Sequence, residues 1–362
     1  MAKKSLLIFL GIVVALLLSY LIVQFAKGYR FDIKDKTLSK TGILAISSSP
    51  QGAAVYINDK LTTATNNTLS GVTPGKYKVK ITKDGYSTWE KEVEVKEELV
   101  TPIEAVLFPS VTDLRPLTFN GVINPKLSFD GQKIAFGVSG NGKDGIWVLD
   151  LVDRPIIFSR EPRQIVKDTN FKFSGSELEW SPDSKTLLVK VTAKADFYFT
   201  LNPDQLNIIP NQIFSVQNLK NSWQEEERSE NQDKLARLKL KDSEIATNSA
   251  KLIFSPDETK VISLQEDKKI LYDSKPGEIP NIPPKTFDLP AAKSYIWHPN
   301  SKNIILVEEK KISIIAVDLT NKMDIYSGDF DPNVVFPWPN GSKLLIATSF
   351  NPDKKPNLYA LN

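Results

Sequence analysis

The sequence contains no cysteine and a single histidine, His298, among its 362 residues. The absence of thiols excludes disulfides, thiolate nucleophiles and cysteine-ligated zinc or iron–sulfur centres. One imidazole excludes a multi-histidine metal site within one chain, and a serine–histidine–aspartate triad would have to use His298. We therefore predict no metal site, no cofactor and no catalytic residue, and we interpret His298 as a turn residue.

The sequence also lacks an excess of charge of one sign. Its 46 Lys and Arg residues nearly balance 43 Asp and Glu residues, and the two signs are interleaved along the chain. This distribution argues against a nucleic-acid partner, which requires a concentrated basic surface. Glycine-rich phosphate loops, Gly-x-Ser-x-Gly elbows and His-Glu-x-x-His motifs are absent as well. Catalysis by two carboxylates stays open, because glycosidases need only such a pair, and a proton-transfer role for His298 is the other catalytic alternative.

Long apolar runs are scarce, with one exception at the amino terminus, Leu6–Ala26. Twenty-one helical residues reach roughly 30 Å, the thickness of the hydrocarbon core of a bilayer. We predict a cytoplasmic stub over residues 1–4, a transmembrane helix over residues 5–26, a polar linker over residues 27–42 and an extracytoplasmic bulk. A cleavable signal peptide is the alternative, but it requires a shorter apolar core and small residues at the cleavage site.

Residues 43–108 alternate between apolar and polar positions, and turn signals separate the alternating runs. This pattern predicts about six short strands in a small antiparallel sandwich. The segment 48–58, Ser-Ser-Pro-Gln-Gly-Ala-Ala-Val-Tyr-Ile-Asn, resembles the opening of a PEGA domain, with Gln51 in place of the family's Glu. The resemblance implies a surface or envelope module without catalytic residues. Tyr86 and Trp89 are interpreted as core aromatics, and an exposed sugar-stacking patch is the alternative.

A short turn motif recurs five times in residues 109–362, and an apolar strand begins four residues after its Asp or Asn. The five copies are Ser128-Phe129-Asp130-Gly131, Ser181-Pro182-Asp183-Ser184, Ser255-Pro256-Asp257-Glu258, His298-Pro299-Asn300-Ser301 and Trp338-Pro339-Asn340-Gly341. A repeat near 40–45 residues with several strands per unit is typical of a β-propeller. The unit resembles the repeats of TolB-like propellers, which are related to the WD-repeat class. We predict five or six blades, with the stretches near 109–122 and 195–217 as material for a sixth.

The longest interval between two repeats contains a predicted helical insertion at residues 222–240. Ser222-Trp223-Gln224-Glu225 resembles a capping box, and acidic residues precede basic ones, as the helix dipole favours. Leu235, Leu238 and Trp223 are expected to hold one side of this helix on the propeller. The helix either bridges two blades in solvent or binds a partner.

These patterns together predict a mainly β fold: a transmembrane helix, a PEGA-like sandwich and a propeller with a helical insertion. The function that they favour is a non-catalytic binding or scaffold protein of the cell envelope. Its expected partners are the membrane, through the amino-terminal helix, and a protein or cell-wall glycan ligand. The alternative is an extracytoplasmic carbohydrate-active enzyme with paired carboxylates in the propeller channel.

Overall fold

In a computed structural model, the backbone is described for residues 2–26, 29–32, 37–140, 142–151, 161–238, 240, 251–266, 268–274, 285–350 and 355–362. Side chains are described for the same residues except 2–8, 24–26, 29–32 and 37–39. The chain divides into two compact units, Met1–Val111 and Thr112–Asn362. The boundary expected from the sequence followed residue 108.

Helix α1 (Ala2–Ala26) opens the first unit. Between residues 9 and 23, large apolar side chains are exposed around the whole helix, and Phe9, Leu16 and Ile22 are each at least 66 % exposed. Within the described part of the chain, no helix is both long and apolar enough to span a membrane. Residues 5–8 and 24–26 of the predicted span lie outside the described side chains, so the transmembrane helix stays a prediction.

The predicted linker contains a strand pair. Strands β1 (Tyr29–Asp32) and β2 (Thr37–Lys40) pair antiparallel, with Phe31 opposite Leu38. The predicted linker over residues 27–42 therefore contains regular backbone pairing at eight positions. Apolar and polar residues alternate within Tyr29–Asp32, and this period of two is the signal that sequence reasoning overlooked.

The rest of the first unit is a two-sheet sandwich. Its seven strands are β3 (Gly42–Ser49), β4 (Ala54–Ile57), β5 (Lys60–Ala64), β6 (Asn67–Val72), β7 (Gly75–Thr82), β8 (Trp89–Val95) and β9 (Val100–Val106). One sheet has the order β6-β3-β9 and the other β5-β4-β7-β8. The predicted antiparallel arrangement fails at one pair, because β9 runs parallel to β3. Inward-facing residues such as Leu44, Val55 and Ile81 are fully buried between the sheets.

The described part of the second unit contains five four-stranded antiparallel sheets, called blades 1 to 5, and one α-helix. Blade 1 contains β11 (Ile123–Leu127), β12 (Lys133–Val138), β13 (Gly145–Asp150) and β14 (Arg163–Lys167). Blade 2 contains β15 (Glu177–Trp180), β16 (Leu187–Thr192), β17 (Asp196–Leu201) and β18 (Asn211–Ile213). Blade 3 contains β19 (Lys251–Phe254), β20 (Lys260–Leu264), β21 (Lys269–Asp273) and β22 (Lys285–Asp288). Blade 4 contains β23 (Ser294–Trp297), β24 (Asn303–Val307), β25 (Lys311–Ala316) and β26 (Met323–Ser327).

Blade 5 combines strands from both ends of the second unit. Strands β27 (Val335–Pro337), β28 (Leu344–Thr348) and β29 (Asn357–Leu361) come last in sequence, and β10 (Leu114–Pro116) pairs with β29 as the fourth strand. The stretches predicted to build a sixth blade instead supply this closing strand and strands β17 and β18 of blade 2. Only the first turn of each blade carries a recognisable motif, so the sequence did not assign these outer strands.

The propeller-like ring has two faces, which the meander of each blade defines. Because neighbouring strands are antiparallel, the loops joining strands one to two and three to four lie at the same end of a blade. This end is called the turn face, since all five repeated motifs lie on it. Loops joining strands two to three lie on the opposite face.

The insertion between blades 2 and 3 is helix α2 (Val216–Arg237). It begins before the predicted start at residue 222, so the proposed capping box is wrong. Ser222 lies in the second turn, where its hydroxyl donates to the carbonyl of Leu219 at 2.7 Å. This bond to a preceding carbonyl is the usual use of a hydroxyl inside a helix.

Candidate functional site

The repeated turns of blades 1 to 3 use serine and aspartate in the same way. In blade 2 the Ser181 hydroxyl donates to Asp183 Oδ1 at 2.6 Å and accepts the Thr186 N–H at 2.9 Å. Asp183 Oδ1 also accepts the Lys185 N–H at 3.0 Å. The hydrogen bond from Ser181, followed by that from Lys185, lowers the pKa of Asp183 below its ordinary value. These aspartates therefore close turns, as their recurrence predicts.

The fourth residue of the turn links neighbouring blades. Ser184 and Ser301 adopt left-handed backbone conformations, with φ of 59° and 56°. Each hydroxyl accepts a backbone N–H of the preceding blade's turn, from Asp130 and Asp257 respectively, at 3.0 Å. The turn face thus carries a partial ring of hydrogen bonds between blades, which the spacing of the repeats did not predict.

His298 occupies the first position of the blade 4 turn and has two roles. Its Nδ1 accepts the Asn300 N–H at 3.3 Å inside the turn, which makes Nε2 the protonated nitrogen. Nε2 donates to the carbonyl of Gly341 in blade 5 at 3.1 Å. Burial lowers the pKa of His298 below its ordinary value. The imidazole is therefore a neutral link between two blades as well as a turn residue.

A cavity of about 560 Å³ lies where blade 5 closes against blade 1. Its walls are mainly apolar and aromatic, with Phe119, Phe136 and Trp147 as the three aromatic side chains. Polar groups come from Thr118, Asn120, Lys143 and Glu161, and the remaining lining residues are Pro116, Leu117, Gly121, Val138 and Pro162. An apolar cavity with a few polar groups is the usual form of a binding site.

Hydrogen bonds hold two walls of this cavity in place. The loop after β10 is clamped by Asn357, whose Oδ1 accepts the Thr118 hydroxyl at 3.1 Å and the Gly121 N–H at 2.9 Å. On the opposite wall, the Trp147 indole N–H donates to the Lys143 carbonyl at 2.9 Å. The cavity is thus preformed, while Phe119 at its rim is 78 % exposed.

Glycine is required beside the second wall. Gly145 starts β13 with φ of +143°, and a Cβ there would lie 2.0 Å from the carbonyl oxygen of Val166. Only glycine therefore permits β13 to begin so close to β14. Sequence reasoning missed this cavity, because residues 109–122 carry no repeat motif; the aromatic Phe119 ahead of Asn120-Gly121 was the available signal.

Helix α2 is attached to the propeller at both ends. Near its start Lys220 pairs with Glu179 of β15 at 2.5 Å, and near its end Arg237 pairs with Glu258 of the blade 3 turn at 2.6 Å. As predicted, Leu235 and Leu238 are buried, and both pack with Val261 and Tyr272 of blade 3. Trp223 is half-buried, and the acidic residues Glu225–Glu227 are exposed. The two interpretations, a bridging helix and a partner-binding helix, both fit this attachment.

The aromatic residues of the sandwich are half-buried against its core. Tyr86 and Trp89 both pack on the cluster that includes Val79 and Ile81. This packing agrees with the interpretation as core aromatics. Among the residues that the structure describes, no cluster of acidic and histidine side chains could hold a metal ion.

Comparison with protein families identifies the sandwich. Residues 41–110 match the PEGA domain, which confirms the resemblance inferred from segment 48–58. None of the curated proteins with which the sequence was compared matches it.

Solved structures similar to the chain include two TolB proteins. One, from Acinetobacter baumannii, is 12 % identical over 79 % of this chain and 60 % of its own, with a TM-score of 0.24. The other, described as a TolB of Agrobacterium tumefaciens, is 13 % identical over 67 % of this chain and 78 % of its own, with a TM-score of 0.23. An oligogalacturonate lyase from Vibrio parahaemolyticus is 10 % identical over 79 % and 86 %, with a TM-score of 0.30. At these scores the likenesses carry no argument about function.

Proposed function

We propose that the chain is a non-catalytic binding protein of the cell envelope, tethered to the membrane by α1, whose propeller binds a protein ligand. The cavity beside blade 5 is the observation that carries this proposal. The three aromatic side chains that line it can contact an apolar side chain of the protein ligand. Its few polar groups can form hydrogen bonds with the ligand's main chain on either side of that residue. We favour a protein over a glycan because most of the cavity wall is apolar, whereas a glycan presents many hydroxyls that need hydrogen-bond partners.

The composition of the cavity supports binding over catalysis by paired carboxylates. Among the described side chains that line this cavity, Glu161 is the one acidic residue. Inverting and retaining glycosidases need two carboxyl groups about 5–10 Å apart. A polysaccharide-cleavage assay on the purified protein, with Glu161→Gln beside it, tests the alternative: cleavage that the substitution abolishes would establish an enzyme.

Site-specific crosslinking in native membranes tests the binding site. A photoreactive phenylalanine analogue at Phe119 should crosslink a discrete protein, and Trp147→Ala should weaken that adduct, since aromatic anchors dominate interface energies. Phe129, which is 58 % exposed on the turn face, is the matched control position. An equal yield at both positions, or recovery of glycan in place of protein, would contradict the proposal.

The membrane tether has its own test. The full chain should remain with membranes after a high-salt wash. Salt screens interactions between charges, but it does not weaken the burial of about 20 apolar residues in the hydrocarbon core of the bilayer. External protease should digest the residues beyond about 30 in spheroplasts, since the bulk is proposed to be extracytoplasmic. Release by salt would refute the anchor, whereas full protection from protease would refute the orientation.

A further inference from the structure

The loop between β17 and β18 holds two isoleucines in solvent on the turn face. Ile208 is 84 % exposed and Ile209 is 90 % exposed, and Leu206 beside them is 46 % exposed. We call residues 206–209 the isoleucine tip. Isolated exposed apolar residues are ordinary, but here three of them lie within four positions of one loop, and clustered exposed apolar residues are typical of interaction sites.

The tip has a fixed conformation. The Asn207 N–H donates to the carbonyl of Ile165 in blade 1 at 2.7 Å, and its side-chain Nδ2 lies 3.0 Å from that oxygen. The same side chain contacts the carbonyls of Asn202 and Gln205 at 2.9 and 3.1 Å. Asn207 thus ties the loop to the neighbouring blade. The isoleucine side chains do not fold back onto the propeller, as their exposure shows.

The sequence around the tip carries no charge. Residues 205–219 contain no Lys, Arg, Asp or Glu, although charged residues make up 25 % of the chain. The nearest charge, Asp204, is already paired with Lys133 at 2.8 Å and Arg163 at 3.1 Å. Insertion of residues 206–209 therefore desolvates no charged side chain of the tip itself, and desolvation of an ion is the largest cost of such a transfer.

We propose that the isoleucine tip inserts into the interfacial region of a lipid bilayer and gives the propeller a second membrane contact. A protruding, uncharged apolar tip suits a fluid phase that closes around it, whereas a protein partner would need a matching cavity. This inference rests on the proposed membrane tether. With α1 in the membrane as proposed, its exposed apolar side chains lie in the same hydrocarbon environment, and the shared chain gives the tip a high effective concentration of lipid.

Fluorescence at a single introduced cysteine tests the insertion, because the chain has no native cysteine. The full chain carrying Ile209→Cys is labelled with the environment-sensitive dye NBD and reconstituted into vesicles of phosphatidylcholine and phosphatidylglycerol. We expect a blue-shifted emission that nitroxide-labelled lipids quench. Phe350→Cys is the matched control: it is apolar, 67 % exposed and lies between β28 and β29 on the opposite face. Its emission should stay water-like and unquenched.

The remaining outcomes distinguish a lipid bilayer from a protein as the partner of the isoleucine tip. A further Ile208→Asn substitution should return the label at position 209 to the emission of the Phe350 control, because it places an amide in the inserted segment. Equal, water-like emission at both positions would overturn the proposal. A blue shift that nitroxide lipids do not quench would also overturn it, since a second copy or another protein would then cover the tip.

A label at Val14→Cys in α1 distinguishes failure of the tether from failure of the tip. Lipid quenching at position 14 without quenching at 209 would retain the tether and refute the tip. Quenching at 209 without quenching at 14 would refute the tether and leave the tip as an independent membrane contact.

Discussion

The turns of blade 2 and blade 4 follow the same backbone path with different side chains. In both, the first residue's carbonyl accepts the N–H of the fourth residue at 2.9 Å, and the fourth residue is left-handed. In blade 2 the Ser181 hydroxyl stays within its own turn. In blade 4 the larger His298 reaches the carbonyl of blade 5. A side chain at the first position can therefore serve its own turn alone, as Ser181 does, or also reach the next blade, as His298 does.

The first and third positions of the turn vary together. Serine at the first position is accompanied by aspartate at the third in blades 1 to 3, whereas His298 and Trp338 are accompanied by Asn300 and Asn340. A serine hydroxyl donates to the carboxylate and stabilises its charge. Neither histidine nor tryptophan supplies that hydroxyl in blades 4 and 5, and a neutral amide still accepts the turn N–H at 2.9 Å. The two positions thus act as one unit.

Among the variants that test this comparison of turns, Gly341→Ala should cause the largest loss of stability. Gly341 has φ of +73°, and a Cβ there would lie 2.7 Å from His298 Cε1. Backbone strain of about 1–2 kcal/mol and overpacking of about 1–3 kcal/mol together predict a loss of roughly 2–5 kcal/mol in the free energy of unfolding. Urea unfolding followed by tryptophan fluorescence measures the loss.

Gly131→Ala is the matched control for this substitution. Gly131 holds the same turn position in blade 1 with φ of +69°, and a Cβ at this position would meet no other atom within 4 Å. It should show only the strain of about 1–2 kcal/mol. In a His298→Ser background the cost of Gly341→Ala should fall to that of the control. If the two alanine variants lose equal stability in the native background, His298 does not pack against blade 5.

His298→Ser should have the next largest effect. From the sequence alone, serine at this position is expected to leave folding unchanged, because sister repeats use it. The structure predicts a loss of about 1–3 kcal/mol, since the substitution removes the bond to Gly341 and leaves a cavity between blades. Adding Asn300→Asp should recover part of the loss by restoring the hydroxyl–carboxylate pair. Unchanged unfolding of the single variant would show that the link between blades contributes nothing.

Ser184→Ala tests a smaller link between blades. It removes the hydroxyl that accepts the Asp130 N–H while keeping a Cβ at the same left-handed position. Loss of one such hydrogen bond predicts a cost of about 1 kcal/mol. Ser301→Ala, which removes the equivalent bond to Asp257, should cost a similar amount. A cost at one site alone would show that the hydrogen bonds between blades are not equivalent.

The smallest expected effect is a difference in pH dependence between the two kinds of turn. Burial lowers the pKa of His298 below 6.5, so the unfolded chain binds its proton first. The free energy of unfolding should therefore fall as the pH drops below about 6.5 towards the folded pKa. The pKa of Asp183 is lowered from 3.8 by its bond from Ser181, so that turn should weaken only below this value.

Urea unfolding midpoints measured between pH 7.5 and pH 5 distinguish the effect of His298, which lies in this range, from that of Asp183, which lies below it. The chain has one histidine, so few other side chains titrate in this range. The double variant His298→Ser, Asn300→Asp should lose the decrease below 6.5. An identical pH profile in the native protein and the double variant would assign the decrease to another group.

The amino-acid sequence by itself determined the repeated local features of this protein. Each Ser-Pro-Asp turn is closed by hydrogen bonds between residues at most five positions apart, so the motif specifies its own geometry. The PEGA resemblance was equally local, because it lay in turn residues such as Gly52, whose φ is +72°. The burial of Leu235 and Leu238 also followed from sequence, because apolar residues on a polar helix need a surface to cover them.

Only the tertiary structure decided which distant segments meet. The pairing of β10 with β29, the parallel pairing of β9 with β3 and the contact of His298 with Gly341 all join residues more than 40 positions apart. Such contacts depend on how whole strands close a sheet or a ring, and no local pattern encodes the partner. The same reason hid the aromatic cavity and the exposure of Ile208 and Ile209, since both lie in loops that are hydrogen-bonded to a neighbouring strand or blade.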